Sequence, residues 1–151
     1  MKTFLFKTQQ VLEQPLAEVF AFFSDAHNLA KITPPWLRFE VLTAAQIQMS
    51  PGTRIDYRLK LRGIPLRWQS EITEWNPPYM FADEQRRGPY RLWRHTHTFD
   101  ETENGLVVGD SVEYAVWGNQ IVNKFFVRPD IEKIFAYRSE QLDKIFHQAE
   151  S

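Results

Sequence analysis

A strand pair with an unusual inner face is predicted by residues 79–99, YMFADEQRRGPYRLWRHTHTF. In its second half, polar residues alternate with a stripe of four rings, Trp93, His95, His97 and Phe99. Side chains two residues apart on a strand project to the same face. The first half places Phe81, Asp83 and Gln85 in the same alternation, and Gly88-Pro89-Tyr90 supplies the turn. Imidazoles, a carboxylate and an amide among aromatic rings indicate the polar wall of a ligand cavity.

The alternation continues on both sides of this pair. Strands are predicted at residues 37–43, 53–62, 66–75, 79–87, 91–101 and 106–116. Consecutive strands joined by tight turns form an antiparallel meander rather than parallel βαβ units. We expect Asp83 to lie opposite His95, and Asp110 to lie diagonally across from His97 if Asn104-Gly105 forms the hairpin turn.

Helices are predicted near the two ends. Residues 3–12 read as one more strand, and Pro15 opens a helix that ends near Phe23. A second short helix precedes Pro34. A 3.6-residue apolar repeat near the C-terminus predicts a long amphipathic helix with a kink or restart at Pro129; its members are Ile131, Ile134, Phe135, Leu142, Ile145 and Phe146. The pattern predicts one α+β domain over residues 1–151, with the sheet curved around that helix.

Composition narrows the classes of partner. The 151 residues carry a net charge of −1, which argues against a nucleic-acid partner held by bulk charge. There is no cysteine, so disulfides, thiolate metal sites and cysteine catalysis are excluded. Residues 1–7 contain no apolar stretch typical of a signal peptide, and no apolar run is long enough for stable membrane insertion. We therefore expect a cytoplasmic protein, and the sequence does not indicate its oligomeric state.

The chain resembles the helix-grip, START-like superfamily often called SRPBCC. Within it, the chain is similar to small bacterial ligand-binding proteins that are related to polyketide cyclases and labelled cell-division-inhibitor-like. The motifs that carry the resemblance are His27-Asn28-Leu29, Ile32-Thr33-Pro34-Pro35, Gly52-Thr53, Trp68 with Ile72, Phe81, Asp83, Gln85, Gly88-Pro89-Tyr90, Trp93, His95, His97, Phe99 and Asp110. The resemblance implies a deep cavity between the sheet and the long helix, and no cofactor.

Thirteen residues are candidates for binding a ligand in that cavity. Aromatic content selects the inward face of each strand, and the polar stripe supplies groups to orient the ligand. The candidates are Tyr57, Trp68, Ile72, Phe81, Asp83, Gln85, Trp93, His95, His97, Asp110, Tyr114, Phe135 and Arg138. Arg138 interrupts the apolar stripe of the helix. It faces either the carboxylates of the sheet or, if the helix is rotated, solvent. Trp36, after two prolines, either gates the cavity or anchors its loop.

The polar residues leave three functions open. We favour binding of an apolar or amphipathic small molecule, lipid-like or polyketide-like, with no metal. The i, i+2 spacing of His95 and His97 with Asp83 or Asp110 also suits a metal site, but the resemblance carries no metal. The same four residues are candidate catalytic groups, because an imidazole oriented by a carboxylate can act as a general acid or base in a cyclase, dehydratase or hydrolase. A protein-interaction module is the third alternative, and it requires an exposed apolar patch.

Overall fold

The computed structural model describes residues 1–43 and 47–147. Over these residues seven strands form one antiparallel sheet in the order β1-β7-β6-β5-β4-β3-β2. The strands are β1 Phe4–Leu12, β2 Glu40–Val41, β3 Arg54–Leu61, β4 Ile64–Asn76, β5 Met80–Arg87, β6 Leu92–Thr102 and β7 Gly105–Ala115. Strands β2 to β7 form the predicted meander, and β1 returns to pair with β7.

Helical segments precede and follow the meander. Helix α1 spans Leu16–Phe23, directly after Pro15, and two 3₁₀ helices follow at Ala26–Ile32 and Pro35–Leu37. After the sheet come α2 Gln120–Val122, a π-helical turn Asn123–Val127 and the long helix α3 Arg128–His147. The helix predicted to restart near Pro129 does so at Arg128, where proline in a first turn costs no hydrogen bond.

Two predicted boundaries were wrong. The strand expected at residues 37–43 is reduced to Glu40–Val41, because the prolines before Trp36 start a 3₁₀ turn that ends in a left-handed residue, Arg38. The last hairpin turns at residues 103–104, since Thr102 pairs with Gly105. Asp110 is therefore directly opposite His97 rather than diagonal to it. Asp83 does pair with His95, as predicted.

Helix α3 lies against the inner face of the sheet. The Phe135 ring packs against Phe6 of β1 at 5.1 Å between centroids and against the His95 ring of β6 at 5.5 Å. Gln10 of β1 donates a 2.8 Å hydrogen bond to the Ser139 carbonyl. Strand β4 carries two register irregularities, and such bulges bend and twist a sheet. The helix and the bent sheet thus enclose space at the centre of the molecule.

Candidate functional site

A cavity of about 190 Å³ lies between the sheet and α3. Its sheet wall contains seven aliphatic and aromatic side chains, five of which are predicted ligand residues, and its helix wall contains Ile131, Ile134, Phe135 and Arg138. The sheet positions are Ile55, Tyr57, Leu59, Trp68, Ile72, Phe81 and Trp93. Their burial confirms the predicted parity of the strands: Ile55, Tyr57 and Leu59 are buried and the residues between them are exposed. The lining is mostly apolar, as in ligand cavities generally.

The polar groups of the lining meet on one side of this cavity. Asp83, His95, His97 and Arg138 all contribute to the lining, as predicted. The two imidazole rings stack on each other at 3.8 Å between centroids, and Phe81 stacks on His97 at 4.2 Å. Rings held in such a stack have little freedom to rotate, so the polar wall is preorganised.

Three predicted ligand residues do not line this cavity. Gln85 is the first. Its Nε2 donates to the Tyr90 carbonyl at 2.8 Å, and its Oε1 accepts from the Tyr90 N–H at 3.0 Å. A Cβ atom at position 88 would collide with the Gln85 side chain, which explains why glycine stands there. Gln85 therefore closes the β5–β6 turn and does not line the cavity.

Tyr114 and Asp110 are the other two. Tyr114 is fully buried in an apolar cluster with Phe6 and Ile131, and its hydroxyl donates to Asn123 at 2.8 Å. Asp110 lies behind the histidines, against Arg138. Both positions are buried on the inner face as the alternation predicted, but neither lines the cavity.

Each histidine has a carboxylate partner. His95 Nε2 lies 2.7 Å from Asp110 Oδ1, and His97 Nε2 lies 3.0 Å from Asp83 Oδ2. Because a carboxylate only accepts, both Nε2 atoms carry the proton. Arg138 Nη2 donates to His97 Nδ1 at 3.4 Å, so that nitrogen holds a lone pair. His95 Nδ1 makes no hydrogen bond to any residue in 1–43 or 47–147. The hydrogen bonds thus fix the tautomer of His97, whereas they leave His95 Nδ1 without a partner in this part of the chain.

Arg138 joins this cluster and does not reach solvent. Its exposed fraction is 8%, and Nη2 lies 3.3 Å from Asp110 Oδ1. The guanidinium carbon sits over the rings of Phe23 at 5.1 Å and Phe135 at 5.6 Å. Its Nε is the buried side-chain nitrogen that lacks a hydrogen-bond partner within the described part of the chain. Of the two orientations left open by the sequence, the inward one is confirmed.

The cluster shifts the pKa values of its members. Burial and the adjacent His95 lower the pKa of His97 to about 4, although Asp83 acts in the opposite direction. Burial alone would favour protonated Asp110, but the Arg138 charge and the hydrogen bond from His95 outweigh it and hold the pKa of Asp110 well below its usual range. Burial, with a smaller effect of Asp83, raises the pKa of Tyr57. At pH 7 His97 is neutral, Asp110 is ionised and Tyr57 remains a phenol.

Three residues of this cluster have side chains of the kinds that bind metal ions. Asp83, His95 and His97 each offer one donor atom, and these atoms lie within 4.8 Å of one another. A cation bound there would break the His97–Asp83 hydrogen bond and would be repelled by Arg138 next to His97. The arrangement favours a hydrogen-bonded cluster over metal ligation, and the absence of a metal stays a prediction.

Sequence reasoning missed part of the wall. The cavity is also lined by Phe23 of α1, by Leu29 of the first 3₁₀ helix and Thr33 directly after it, and by Phe39 and Met49 between α1 and β3. Phe39 lies in the run 37–43, of which only Glu40–Val41 forms a strand. Met49 lies outside every predicted strand, so no alternation marks the side that faces the cavity. Trp36 is 55% exposed and packs edge-on against Tyr137 of α3 at 5.8 Å, which bridges this segment to the helix.

One apolar surface lies away from the cavity. Trp117, Ile121, Phe125 and Phe126 are exposed at the start of the final helical segment. Three of these rings are covered by cations of the chain itself: Arg91 over Trp117, Lys124 over Phe125 and Arg62 over Phe126. No helix within the described ranges is long and apolar enough to span a membrane.

The meander, the α3 helix and the enclosed cavity define a helix-grip protein with an internal binding chamber. A family model described as polyketide cyclase / dehydrase and lipid transport matches residues 12–136, and the chain belongs to this family. The family confirms the resemblance to the SRPBCC superfamily. The narrower likeness to cell-division-inhibitor-like proteins stays a prediction. No curated protein matches the sequence.

Solved structures show the same fold at low sequence identity. Protein CV1439 from Chromobacterium violaceum has a TM-score of 0.74 and 16% identity, with 94% of this chain and 96% of that chain covered. Major latex-like protein 151 from Panax ginseng has a TM-score of 0.69 and 11% identity, with 95% and 97% covered. The di-domain ARO/CYC StfQ of the steffimycin biosynthetic pathway has a TM-score of 0.75 and 10% identity; 97% of this chain matches 51% of that chain.

Proposed function

We propose that the chain binds an apolar or amphipathic small molecule, lipid-like or polyketide-like, in the cavity between the sheet and α3. The observation that carries the proposal is the division of the cavity lining. Most of the wall is aliphatic and aromatic, and the charged and imidazole groups are confined to Asp83, His95, His97 and Arg138. Such a wall buries the apolar body of a ligand and fixes its polar end at one place. Membership of a family described by polyketide cyclases and lipid transport supports this chemistry.

Native mass spectrometry of the purified protein, followed by denaturing extraction, tests the proposal. We expect a co-purifying apolar molecule, or saturable binding of an added hydrophobic dye. Ser70→Leu, which places a larger side chain in the cavity wall, should abolish either signal. Gln69→Leu, on the neighbouring outward-facing position, is the matched control and should retain it. A clean mass together with no dye binding by the wild-type protein contradicts the proposal.

A second candidate function is acid–base catalysis, and the His95–Asp110 pair favours it. Asp110 Oδ1 lies 2.7 Å from Nε2, so the neutral form of His95 carries its lone pair on Nδ1, which is the arrangement of an imidazole base oriented by a carboxylate. A proton could then be taken from a carbon or hydroxyl of a bound molecule. If the chain is an enzyme, His95→Ala should abolish turnover of the extracted ligand while it still binds. For a binding protein, the same variant should change affinity alone.

The third alternative, protein interaction, has weaker support. The exposed side chains around Phe125 supply an apolar patch, but cations of the same chain cover three of its rings. In that case substitutions in the cavity would leave function unchanged, whereas Phe125→Ser would remove it. This comparison separates surface function from cavity function.

A further inference from the structure

We propose that the surface patch formed by Trp117, Ile121, Phe125 and Phe126 docks on an anionic lipid bilayer. These four side chains lie where the chain passes from β7 into the final helical segment, and none of them lines the cavity. Docking of this patch goes beyond ligand binding, and it does not depend on which molecule the cavity holds.

The segment that carries the patch has its polar side inward and its apolar side outward. Asn123 is buried, and its side-chain oxygen accepts a hydrogen bond from the Tyr114 hydroxyl at 2.8 Å. The four patch side chains are between 51% and 65% exposed. Folding stability favours the reverse arrangement, because buried rings stabilise a protein and a buried amide must find a partner. The exposed rings therefore indicate a partner outside the chain.

The end of the sheet next to the patch is basic, although the chain has a net charge of −1. The β3–β4 turn, the β5–β6 turn and the segment after β7 meet there. Residues 60–67, 86–91 and 117–126 contain seven cations and no carboxylate. The cations are Lys60, Arg62, Arg67, Arg86, Arg87, Arg91 and Lys124. Such a concentration of one charge attracts a surface of the opposite charge.

Most of this positive charge is not neutralised within the protein. Arg62 pairs with Asp130, and Arg86 pairs with Glu71 and Glu84. The other five cations form no ion pair with any residue in the part of the chain that the structure describes. The β6–β7 turn at the opposite end of the sheet, residues 100–104, contains three carboxylates and no cation. The molecule is therefore polarised along its strands, with the patch at the positive end.

The chemistry of the patch fits a bilayer surface better than a second copy of the chain. Each aromatic ring of the patch has a cation between 5.2 and 5.4 Å from its centroid, as Arg91 has over Trp117. Rings of this kind insert at the level of the lipid headgroups, where lysine and arginine meet the anionic phosphates. A two-fold dimer through the patch would instead bring two basic surfaces face to face.

The patch also adjoins one end of the cavity. Arg62 lies 3.1 Å from Asp130 and donates to the Phe126 carbonyl at 3.3 Å, which joins the β3–β4 turn to the patch. Leu61 and Ile131, the neighbours of this ion pair in the sequence, both line the cavity. Docking therefore brings one end of the cavity wall close to the lipid, which is a source of apolar molecules.

Sedimentation of the full chain with lipid vesicles tests the inference. Vesicles of equal parts phosphatidylglycerol and phosphatidylcholine should bind the protein at least about tenfold more tightly than vesicles of phosphatidylcholine alone, because each cation near the surface contributes about fivefold. High salt should remove this preference. Phe125→Ser should weaken binding to the anionic vesicles about tenfold, and Lys124→Gln should weaken it about fivefold.

Tyr79→Ser and Lys31→Gln are the matched controls. Tyr79 is exposed on the β4–β5 turn at the opposite end of the sheet, and Lys31 is exposed on the first 3₁₀ helix. Both variants should bind the anionic vesicles as tightly as the wild-type protein. Phe125→Ser should keep the wild-type affinity for 2-naphthol, a two-ring probe of the cavity, so that failure of docking and failure of cavity binding are distinguished.

Three results overturn the inference. The first is equal binding of the wild-type protein to both kinds of vesicle, or binding to neither. The second is a folded Phe125→Ser variant that binds the anionic vesicles as tightly as Tyr79→Ser does. The third is a wild-type dimer in analytical ultracentrifugation that Phe125→Ser converts to a monomer, with no binding to vesicles, because the patch would then hold a second copy of the chain.

Discussion

At the scale of single residues, Arg138 determines what the polar cluster is. A guanidinium buried among Phe23, Phe135 and the inner face of the sheet is stable only because Asp110 lies 3.3 Å away. The same contact keeps Asp110 ionised, and the ionised Asp110 orients His95. One helix residue therefore sets the charge of Asp110 and, through Asp110, the orientation of His95.

Replacing that cation should destabilise the protein strongly. Arg138→Met leaves the Asp110 carboxylate buried without its partner, so we expect the free energy of unfolding to fall by about 3 kcal/mol in urea titrations. Lys144→Met removes an exposed ion pair with Glu140 on the same helix and should cost less than about 1 kcal/mol. The double variant Arg138→Met with Asp110→Asn should recover part of the loss. Equal effects of the two single variants would show that Arg138 is not buried in this way.

The depressed pKa of His97 predicts a stability that falls as the solution becomes acidic. A histidine in the unfolded chain has a pKa near 6.5, whereas folded His97 has a pKa of about 4. Between these two pH values His97 is protonated in the unfolded state and neutral in the folded state. The unfolded state is therefore favoured as the pH falls, by up to about 1.4 kcal/mol per pH unit from this group. Below about pH 4, protonation of Asp110 also favours the unfolded state, because the folded state holds the pKa of Asp110 low.

The measurement compares unfolding free energies from pH 7 to pH 4 in the wild-type protein and in His97→Gln. Glutamine can still donate to Asp83 and accept from Arg138, but it does not titrate. The pH slope of the variant should be shallower through this window. Parallel curves for the two proteins would mean that His97 is not a buried neutral imidazole.

At the scale of elements, the turn between β5 and β6 depends on Gln85 rather than on the turn sequence alone. The Gln85 amide on β5 hydrogen-bonds to both the N–H and the carbonyl of Tyr90. Gly88 lies between them and has no Cβ to collide with the Gln85 side chain. The geometry of this turn fixes the position of β6, whose Trp93 and His95 line the cavity. A residue expected to bind the ligand instead positions those that line the cavity.

Gln85→Ala separates these two roles. Loss of two hydrogen bonds at a partly buried turn should lower the free energy of unfolding by about 1–2 kcal/mol. The affinity for a cavity ligand such as 2-naphthol should change little, because Gln85 does not line the cavity. Gln69→Ala, which removes a hydrogen bond to Asp56 on the outer face, is the control and should cost less than about 0.5 kcal/mol. A large loss of affinity without a loss of stability would restore Gln85 to the binding site.

The accuracy of the sequence predictions also differs from element to element. Strict alternation in β3 and β6 was enough to place Tyr57, Trp93, His95 and His97 on the inner face, because a strand has a period of two. Alternation predicts the face that a side chain occupies but not the group that it binds. It therefore could not show that the Gln85 amide hydrogen-bonds to the backbone of Tyr90. The hairpin before β7 was displaced because Asn104-Gly105 suggested a turn one residue too late.

Long-range geometry explains the other differences. The apolar stripe of α3 predicted a helix, but it did not decide whether Arg138 faces the carboxylates of the sheet or solvent. Its burial depends on Asp110, which is 28 residues earlier in the chain and comes close only when α3 packs on β7. Met49 lines the cavity from an irregular segment, where no period exists to predict a side.

At the scale of the whole molecule, a bent sheet and one long helix enclose a chamber beside a packed apolar core. The rings that flank it stack on one another, as Trp68 and Trp93 do at 5.4 Å between centroids. Rigid walls of this kind keep a cavity open at little cost in side-chain entropy. The fold is shared with proteins that are only 10–16% identical, so the scaffold by itself does not specify the ligand. Specificity must come from the side chains of the chamber.

The most direct test of the account is to locate a bound molecule by nuclear Overhauser effects between 2-naphthol and isoleucine methyl groups of the labelled protein. Ile72 and Ile131 line the cavity, whereas Ile121 is 62% exposed on the surface patch. The account predicts intermolecular signals to the methyl groups of Ile72 and Ile131 that disappear in Ser70→Leu. Signals to Ile121 with none to Ile72 or Ile131 would contradict it, because the binding site would then lie on the surface and not in the chamber.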